Sequence, residues 1–233
     1  MISIIIPVYN QAEKLIKTLK SIAVQSYTDY EVIIVNDGST DNVEKIFADY
    51  FKQMSSSNSY TFLNQENKGA PAARNRGYQE SKGEYLFFCD ADAVLKPEAL
   101  EVMISHLSLS AASSYVYPSF YWGKKLFKGR DFDAELMKQA PYIHTMALIR
   151  REDFPKNGWD ESIKKLQDWD LWLTMLANGK VGFYIPQVLF TVAPGGTIST
   201  WLPSFAYKLL PFLPSVKKYQ AAVKVIKEKH GLI

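Results

Sequence analysis

Two aspartates directly follow an apolar segment near the middle of the chain. Residues 85–89 are apolar throughout, and Asp90 and Asp92 come next, separated by Ala91. A strand that is apolar on both faces is typical of a parallel sheet covered by helices, and such sheets bind ligands just past the carboxyl ends of their strands. Side chains at positions i and i+2 point the same way if the chain stays extended. The sequence therefore predicts two carboxylates close together at a ligand-binding edge.

These two carboxylates favour a positively charged partner. Two like charges about 4 Å apart repel by about 1 kcal/mol in water and by about 4 kcal/mol at an effective dielectric constant near 20. Mg²⁺ or Mn²⁺ suits the pair, because these ions take oxygen ligands and leave positions for water and phosphate. The alternative is a solvated turn in which Asp92 caps a helix beginning at Pro97 and Glu98. The spacing alone leaves both interpretations open.

Segments typical of strands alternate with segments of helical periodicity. In the first half, apolar segments at 2–6, 31–35, 60–63 and 85–89 alternate with helical patterns at 12–25, 43–51 and 70–80. The second half is less regular, with helices predicted at 97–107 and 168–178, short strands or a hairpin at 115–127, a strand at 147–150 and edge strands at 182–192. Alternating strands and helices indicate an α/β protein with a mostly parallel central sheet.

Three predicted strands end in residues that could contact a ligand. Tyr9 follows the first strand, Asp37 ends the second, and the aspartate pair follows the fourth. If the sheet is parallel, these ends converge at one edge. A base could stack on Tyr9, and Asp37 could accept a hydrogen bond from a base N–H. Each also has an ordinary explanation, since Asn36-Asp37-Gly38 is a good turn and Asp41 a good helix N-cap.

Composition and charge limit the class of protein. The 233 residues, 47% of them apolar, are enough for one substantial domain followed by a tail. The formal charge of +3 is mild and interspersed, which argues against a nucleic-acid partner. The single cysteine, Cys89, lies in an apolar strand and fits a reducing compartment, and the N-terminus resembles neither a signal peptide nor a membrane span. We therefore expect a cytoplasmic protein.

The C-terminal tail has a different composition. Aromatic and leucine side chains from Trp201 to Leu213 are interrupted by prolines, and a lysine-rich helix is predicted over 216–229. This helix could lie on an anionic membrane surface, on the inner membrane for a cytoplasmic protein, with its apolar residues in the lipid. Alternatively, it packs on the domain and exposes a solvated basic face.

Five motifs together resemble family 2 glycosyltransferases in order and spacing, over residues 2–195. The motifs are Pro7-Val8-Tyr9-Asn10, Asn36-Asp37-Gly38-Ser39-Thr40-Asp41, Gly69-Ala70-Pro71-Ala72-Ala73-Arg74-Asn75-Arg76-Gly77, Asp90-Ala91-Asp92 and Gln167-Asp168-Trp169-Asp170-Leu171-Trp172. The resemblance implies a GT-A fold, which is a Rossmann-like three-layer sandwich. It also implies inverting transfer from a nucleotide-diphosphate sugar, usually a UDP-sugar, to a glycan or glycolipid acceptor. Residues 1–200 would form the catalytic domain, and residues 201–233 a basic aromatic tail.

The resemblance also implies roles for individual residues. The base would contact Pro7, Tyr9 and Asp37, while Glu13 would support that loop and Arg74 would help to close the pocket for base and phosphate. Asp90 and Ala91 would lie near the ribose or sugar, and Asp92, with Asp90, would bind Mn²⁺ or Mg²⁺ at the diphosphate. Asp168 would be the catalytic base. Judged from its residue type alone, Asp168 would rather be a helix N-cap, as would Asp170.

Two departures from the family pattern leave other functions open. Gln167 stands where the family often has Glu, and neither the Arg expected near Thr191 nor the His expected near Ala193 is present. Metal affinity would then be lower, or another residue would substitute. A non-catalytic nucleotide-sugar binding or assembly subunit with the same fold is therefore a second hypothesis. A sugar-nucleotide pyrophosphorylase is a weaker one, since it would need a glycine-rich basic loop after the first strand.

The histidines and tryptophans of the acceptor half do not decide between these functions. His106 and His230 are expected at the surface, whereas His144 precedes a strand and could face the site. Trp122 and Trp159 could shape an acceptor pocket, although core packing is the more ordinary role.

Overall fold

The β-branched segment at the start of the chain forms a central strand with both faces buried. In a computed structural model, which describes residues 1–53, 58–195 and 212–233, Ile4, Ile5 and Ile6 are fully buried. Ile4 and Ile6 belong to one hydrophobic core and Ile5 to another. This division follows from the alternation of side chains along a strand. The sheet is therefore covered on both faces.

The described elements follow the predicted alternation in the first half of the chain. The strands are β1 (Ile2–Val8), β2 (Tyr30–Asp37), β3 (Ser59–Gln65), β4 (Tyr85–Phe88), β5 (Ala93–Leu95), β6 (Tyr115–Trp122), β7 (Lys125–Phe127), β8 (Leu148–Arg150) and β9 (Gly182–Val192). The helices are α1 (Ala12–Ala23), α2 (Val43–Gln53), α3 (Ala70–Glu80), α4 (Ala99–Leu109), α5 (Ala134–Gln139), α6 (Gln167–Ala177) and α7 (Pro214–Lys229), with a 3₁₀ turn at Arg151–Asp153.

The strands form one mixed sheet in the order β3-β2-β1-β4-β8-β6-β9-β5, with β7 paired to β6. Strands β1 to β4 are mutually parallel, and β6 and β9 run in the same direction; β5, β7 and β8 run opposite. The predicted α/β class with a mostly parallel sheet is confirmed. The expectation of edge strands over 182–192 is wrong for residues 190–192, which lie between β6 and β5, whereas the preceding part of β9 pairs with β6 alone.

Helices cover both faces and complete the predicted three layers. Side chains of α1, α2 and α4, including Leu19, Phe47 and Met103, belong to one core. Side chains of α3, α5, α6 and α7 belong to the other, which contains the fully buried Trp169 and Trp172. Their indole N–H groups donate to the carbonyls of Met137 and Ile143 at 2.6 and 3.1 Å. These bonds remove the penalty for burying the two polar groups.

Two short elements were not predicted from the sequence. Strand β5 begins directly after Asp92 and pairs with β9, so the chain leaves the aspartate pair as a strand. The alternative in which Asp92 caps a helix is therefore wrong, since Glu98 occupies the position before α4. Helix α5 is the second, and the side chain of Asp133 caps it by accepting from the Leu136 N–H at 2.9 Å.

The C-terminal helix α7 packs on the domain. Val216 and Ile226 are fully buried, although the membrane-surface alternative needed them in lipid. Helix α7 is also tied by polar contacts to Asp170, which is 3% exposed: His230 Nε2 lies 2.8 Å from its Oδ1 and Lys229 Nζ 2.9 Å from its Oδ2. The surface position expected for His230 is therefore wrong, and the packing alternative is favoured for α7.

The rest of the predicted tail is only partly described. Its aromatic residues 201–211 lie outside the described residues, so the division at residue 200 stays a prediction. Among the described helices, none combines the length and apolar character needed to cross a membrane.

Candidate functional site

The carboxyl ends of β1, β2 and β4 meet at one edge of the sheet, where they line a cavity of about 630 Å³. This volume lies within the usual range for small-molecule sites. Helix α6 brings Asp168 to the same cavity from the second half of the chain. The predicted convergence of three strand ends is thus present, with a fourth carboxylate beside it.

Hydrogen bonds hold the loops after β1 and β2 against each other. Asn10 adopts a left-handed conformation with φ of 52°, and its Oδ1 accepts from the Thr40 N–H at 2.7 Å. The Asn10 N–H donates to Ser39 Oγ at 3.0 Å, and Asp41 Oδ2 accepts from the Ala12 N–H at the start of α1 at 2.9 Å. Tyr9, which is 37% exposed, is therefore presented to the cavity by a fixed loop.

Asp37 organises the side of the cavity next to β2. The carboxylate is 3% exposed and accepts from Gln65 Nε2 at 2.7 Å and from the N–H groups of Lys68 and Gly69 at 2.9 and 2.8 Å. The following residue, Gly38, has φ of 71°, and a Cβ there would lie 2.8 Å from the Asn67 backbone nitrogen. The turn therefore requires glycine, and Asp37 fixes the start of α3.

The carboxylate of Asp90 lies between two basic side chains. Its Oδ1 is 3.3 Å from an Arg74 guanidinium nitrogen, and its Oδ2 is 3.7 Å from His144 Nε2. The Arg74 guanidinium also donates to Gln167 Oε1 at 2.9 Å and lies 4.7 Å from the centroid of the Trp159 ring. Gln167 thus keeps a hydrogen bond to Arg74 although it lacks the charge of a glutamate.

The second carboxylate of the pair, Asp92, faces a lysine from α1. Lys14 Nζ is 3.7 Å from Asp92 Oδ2 and donates to the Gly195 carbonyl at 3.3 Å. Burial and the neighbouring Asp90 raise the pKa of Asp92, and Lys14 partly offsets this rise. The Asp92 carbonyl accepts from the Ala193 N–H at 3.0 Å, so the missing histidine would have stood beside Asp92. Lys14 is the nearby cation at this position.

Asp90 and Asp92 supply the type of ligand that a hard divalent ion prefers, but they supply few ligands. Asp90 and Asp92 offer carboxylate oxygens, which such ions prefer. Within the described part of the chain, no group of three or more His, Cys, Asp or Glu side chains is arranged to hold a metal. An ion held here would therefore need further oxygen ligands from a bound diphosphate or from water.

Asp168 is a half-buried residue on the first turn of α6. Its Oδ1 accepts from the Trp169 N–H at 2.9 Å, and the residue before the helix is Leu166, in a left-handed conformation with φ of 57°. Asp168 is therefore not the N-cap of α6. Burial raises its pKa above that of an ordinary aspartate, although the nearby His144 opposes the rise. A raised pKa makes this carboxylate a stronger base.

The cavity contains almost all of the residues that were predicted for the site. Those that line it are Pro7, Tyr9, Asp37, Arg74, Asp90, Ala91, Asp92 and Asp168. Glu13 is the exception, because its side chain is exposed on α1 and is not among the lining residues. Lys14, one residue later, was missed, and its position four residues after the first motif was the only sequence signal near it. Ser215 and Tyr219 of α7 were also missed, since nothing in the sequence shows where α7 packs.

The mixed sheet covered by helices on both faces, with a cavity at its strand ends, defines an α/β protein, and comparison with known proteins gives the family. The model for "Glycosyl transferase family 2" matches residues 3–158, which is about two thirds of the 233 residues. The chain belongs to this family.

Curated relatives in the family are longer than this chain. An uncharacterised glycosyltransferase of Rickettsia conorii is 27% identical over 209 residues, covering 84% of this chain and 33% of that protein. A second, from Rickettsia typhi, is 32% identical over 202 residues, covering 78% of this chain and 61% of that protein. The chain thus spans between a third and three fifths of the length of these two relatives.

Solved structures of low sequence identity share the fold. Staphylococcus aureus TarS 1-349 in complex with UDP-GlcNAc matches with a TM-score of 0.71 at 17% identity, covering 98% of this chain and 71% of that one. Mannosyltransferase PcManGT from Pyrobaculum calidifontis, in complex with GDP-Man and Mn²⁺, matches with a TM-score of 0.69 at 18% identity, covering 96% and 75%. At these identities the likeness establishes the fold.

Proposed function

We propose that this chain is an inverting glycosyltransferase that moves a sugar from a nucleotide-diphosphate donor, a UDP-sugar, to a glycan or glycolipid acceptor. The observation that carries the proposal is the meeting of Tyr9, Asp37, the Asp90 and Asp92 pair and Asp168 in one cavity. Family membership supports the reaction class. Two proteins of the same fold were solved with nucleotide sugars, UDP-GlcNAc in one and GDP-Man with Mn²⁺ in the other.

The nucleotide would lie across the β1 and β2 ends. Tyr9 offers an aromatic face for the base, and Gly38 lets the turn at Asp37 pack closely against Asn67, which lines the cavity. The diphosphate would then reach the aspartate pair, where Arg74 and Lys14 already supply positive charge. A phosphate group prefers such charge-assisted hydrogen bonds.

We propose that a divalent cation binds at this position. Asp92 would hold it together with diphosphate oxygens and water, and Asp90 would assist. When bound, such a cation would offset the negative charge that grows on the departing diphosphate. Because the protein offers few ligands of its own, we expect metal occupancy to depend on bound donor.

Asp168 would act as the general base. In a single inverting displacement, the acceptor oxygen attacks the anomeric carbon while its proton passes to the Asp168 carboxylate. The bond between the anomeric carbon and the phosphate oxygen breaks, and its electron pair leaves with the nucleoside diphosphate. Arg74 and His144 lie beside Asp90 in the same cavity and stabilise negative charge there.

A thermal-stabilisation panel tests donor binding. UDP, GDP and their sugar conjugates are added to the full chain with Mn²⁺ or with EDTA, since a ligand that binds the folded state raises the melting temperature. We expect UDP and UDP-sugars to stabilise most, with an added increment from Mn²⁺ that Asp92→Ala removes. Asp49→Ala, which removes an exposed carboxylate on α2, is the matched control. Stabilisation by no nucleotide would reject the donor proposal, and an unchanged Mn²⁺ increment in Asp92→Ala would reject Asp92 as metal ligand.

A further inference from the structure

A second cavity of about 290 Å³ adjoins the main one. The two share Asp168, His144, Phe120 and Phe127, but the second is otherwise lined by residues 128–130, residues 141–143 and Pro118. The strand-end residues of β1, β2 and β4 do not line it. Asp168 is thus accessible from two separate spaces, one of which contains none of the proposed nucleotide contacts.

The ring of His144 is fixed at the boundary between these cavities. Its Nδ1 lies 3.2 Å from the Met146 N–H, which donates to it, so a neutral ring carries its proton on Nε2, towards Asp90. The ring centroid is 4.5 Å from that of Phe120 and 5.5 Å from that of Phe190. His144 thus lines both cavities, as Asp168 does, whereas Asp90 and Asp92 line only the main one.

We propose that the second cavity binds the terminal unit of the acceptor and that this unit carries a negative charge, as a carboxylate or a phosphate ester. The inference rests on the proposed inverting transfer. In that reaction the acceptor oxygen and the departing diphosphate lie on opposite sides of the anomeric carbon. The acceptor must therefore reach Asp168 from a space that the diphosphate does not occupy, and the second cavity is such a space.

The charge of the second cavity identifies the acceptor class. Lys128 and Arg130 both line it, and Asp168 is the one carboxylate among its lining residues. The nearby Asp133 carboxylate is already used, because it caps α5. A guanidinium offers paired N–H donors that match the oxygens of a carboxylate or phosphate. With two exposed cations and one carboxylate, the lining carries a net positive charge, which favours an acceptor with an acidic group over a neutral one.

Aromatic side chains complete a sugar site in the same cavity. The Tyr142 ring lines it, with the Arg130 guanidinium 6.0 Å from the ring centroid, and Phe127 lies on the side shared with the main cavity. The Arg130 carbonyl accepts from the Tyr117 hydroxyl at 2.9 Å, which fixes the backbone that carries the guanidinium. An apolar ring face beside a guanidinium suits a sugar that bears an acidic substituent.

Ligand-observed NMR titration on the full chain, saturated with UDP, tests the proposal. The probes are methyl β-D-glucuronide, methyl β-D-glucoside 6-phosphate and the neutral methyl β-D-glucoside; UDP blocks the donor site, so the phosphate probe cannot bind there. We expect at least one anionic probe to bind about fivefold more tightly than the neutral one, as one partly exposed charge pair would give. The preference should disappear in the Lys128→Gln/Arg130→Gln double variant and persist in Lys124→Gln, which changes an exposed lysine in the β6–β7 turn.

The two anionic probes identify which acidic group is recognised, and either preference supports the proposal. Equal binding of all three probes, or an anionic preference that survives in the double variant, would overturn it. Retained UDP binding by the variants shows that they are folded. If UDP itself fails to bind while the anionic preference still depends on Arg130, the proposed donor is wrong and the anion site stands.

Discussion

Replacing Asp37 by Asn should destabilise the protein and remove nucleotide binding together. The carboxylate accepts three hydrogen bonds, from Gln65 and Lys68 at Oδ1 and from Gly69 at Oδ2. An asparagine has one acceptor oxygen, so its NH₂ group must face at least one of these N–H donors. The loop between β3 and α3 would lose its fixed position beside Gly38, and with it the side of the cavity proposed to hold the base.

The size of the effect follows from these contacts. A hydrogen bond to a charged group contributes about 1.5–3 kcal/mol, and burying an unpaired donor costs about 1–3 kcal/mol. Since the side chain is almost fully buried, solvent screening is weak, and we expect a loss of about 2–3 kcal/mol in the free energy of unfolding. For a chain of this size, that corresponds to a melting temperature lower by about 4–12 °C.

Differential scanning calorimetry and UDP titration measure the two effects. Glu66→Gln is the matched control, because it makes the same charge change at an exposed position in the same loop. We expect the control to melt within about 2 °C of wild type, since exposed substitutions usually change stability by less than about 0.5 kcal/mol. An Asp37→Asn protein that melts and binds UDP like the control would refute the role given to Asp37.

Three further predictions concern the anchor of α7, the cation at Asp92 and the base. Asp170→Ala should lower stability by about 1–3 kcal/mol in denaturant unfolding, because His230 loses its buried partner and Lys229 keeps only Asp160. The exposed Lys224→Ala should change stability by less than about 0.5 kcal/mol. Lys14→Ala should weaken UDP binding in EDTA about fivefold by calorimetry, unlike the exposed Lys17→Ala on the same helix; equal affinities would exclude Lys14 as a phosphate contact. The rate of transfer should fall on acidification at a pH above the ordinary aspartate range, because the raised pKa of Asp168 means that the base becomes protonated at a higher pH. A rate that falls only at or below the ordinary range would contradict this.

The sequence predicted most of the parallel half of the fold and the position of the site. Regular alternation over residues 2–89 located four strands within a few residues of their observed bounds, since β1, β2 and β4 are apolar on both faces and β3 carries Tyr60, Phe62 and Leu63. Strand β5 and helix α5 were missed because they are three and six residues long, too short to show a period. The position of β9 inside the sheet depends on its pairing with β5, which local pattern does not contain.

Contacts at the site were also missed because they join segments that are distant in the sequence. Asp90 and Asp92 were found because two carboxylates after an apolar strand are a local signal, but their partners Arg74, His144 and Lys14 come from three separate segments. The positive charge expected between the two aspartates is thus supplied in part by the protein itself. His230 was misplaced for the same reason, since its burial depends on Asp170, sixty residues away in the chain.

The rate of UDP release by wild type and by Asp168→Asn tests the central proposal most directly. The UDP-sugar that stabilises the protein most is incubated with Mn²⁺ and with water as the acceptor of the sugar, and released UDP is measured together with donor affinity. We predict that Asp168→Asn binds the donor like wild type and releases UDP at least about 100-fold more slowly, as expected for loss of a general base. Equal rates of UDP release would contradict the assignment of Asp168, and a wild-type protein that binds the donor without releasing any UDP would instead indicate a non-catalytic binding subunit.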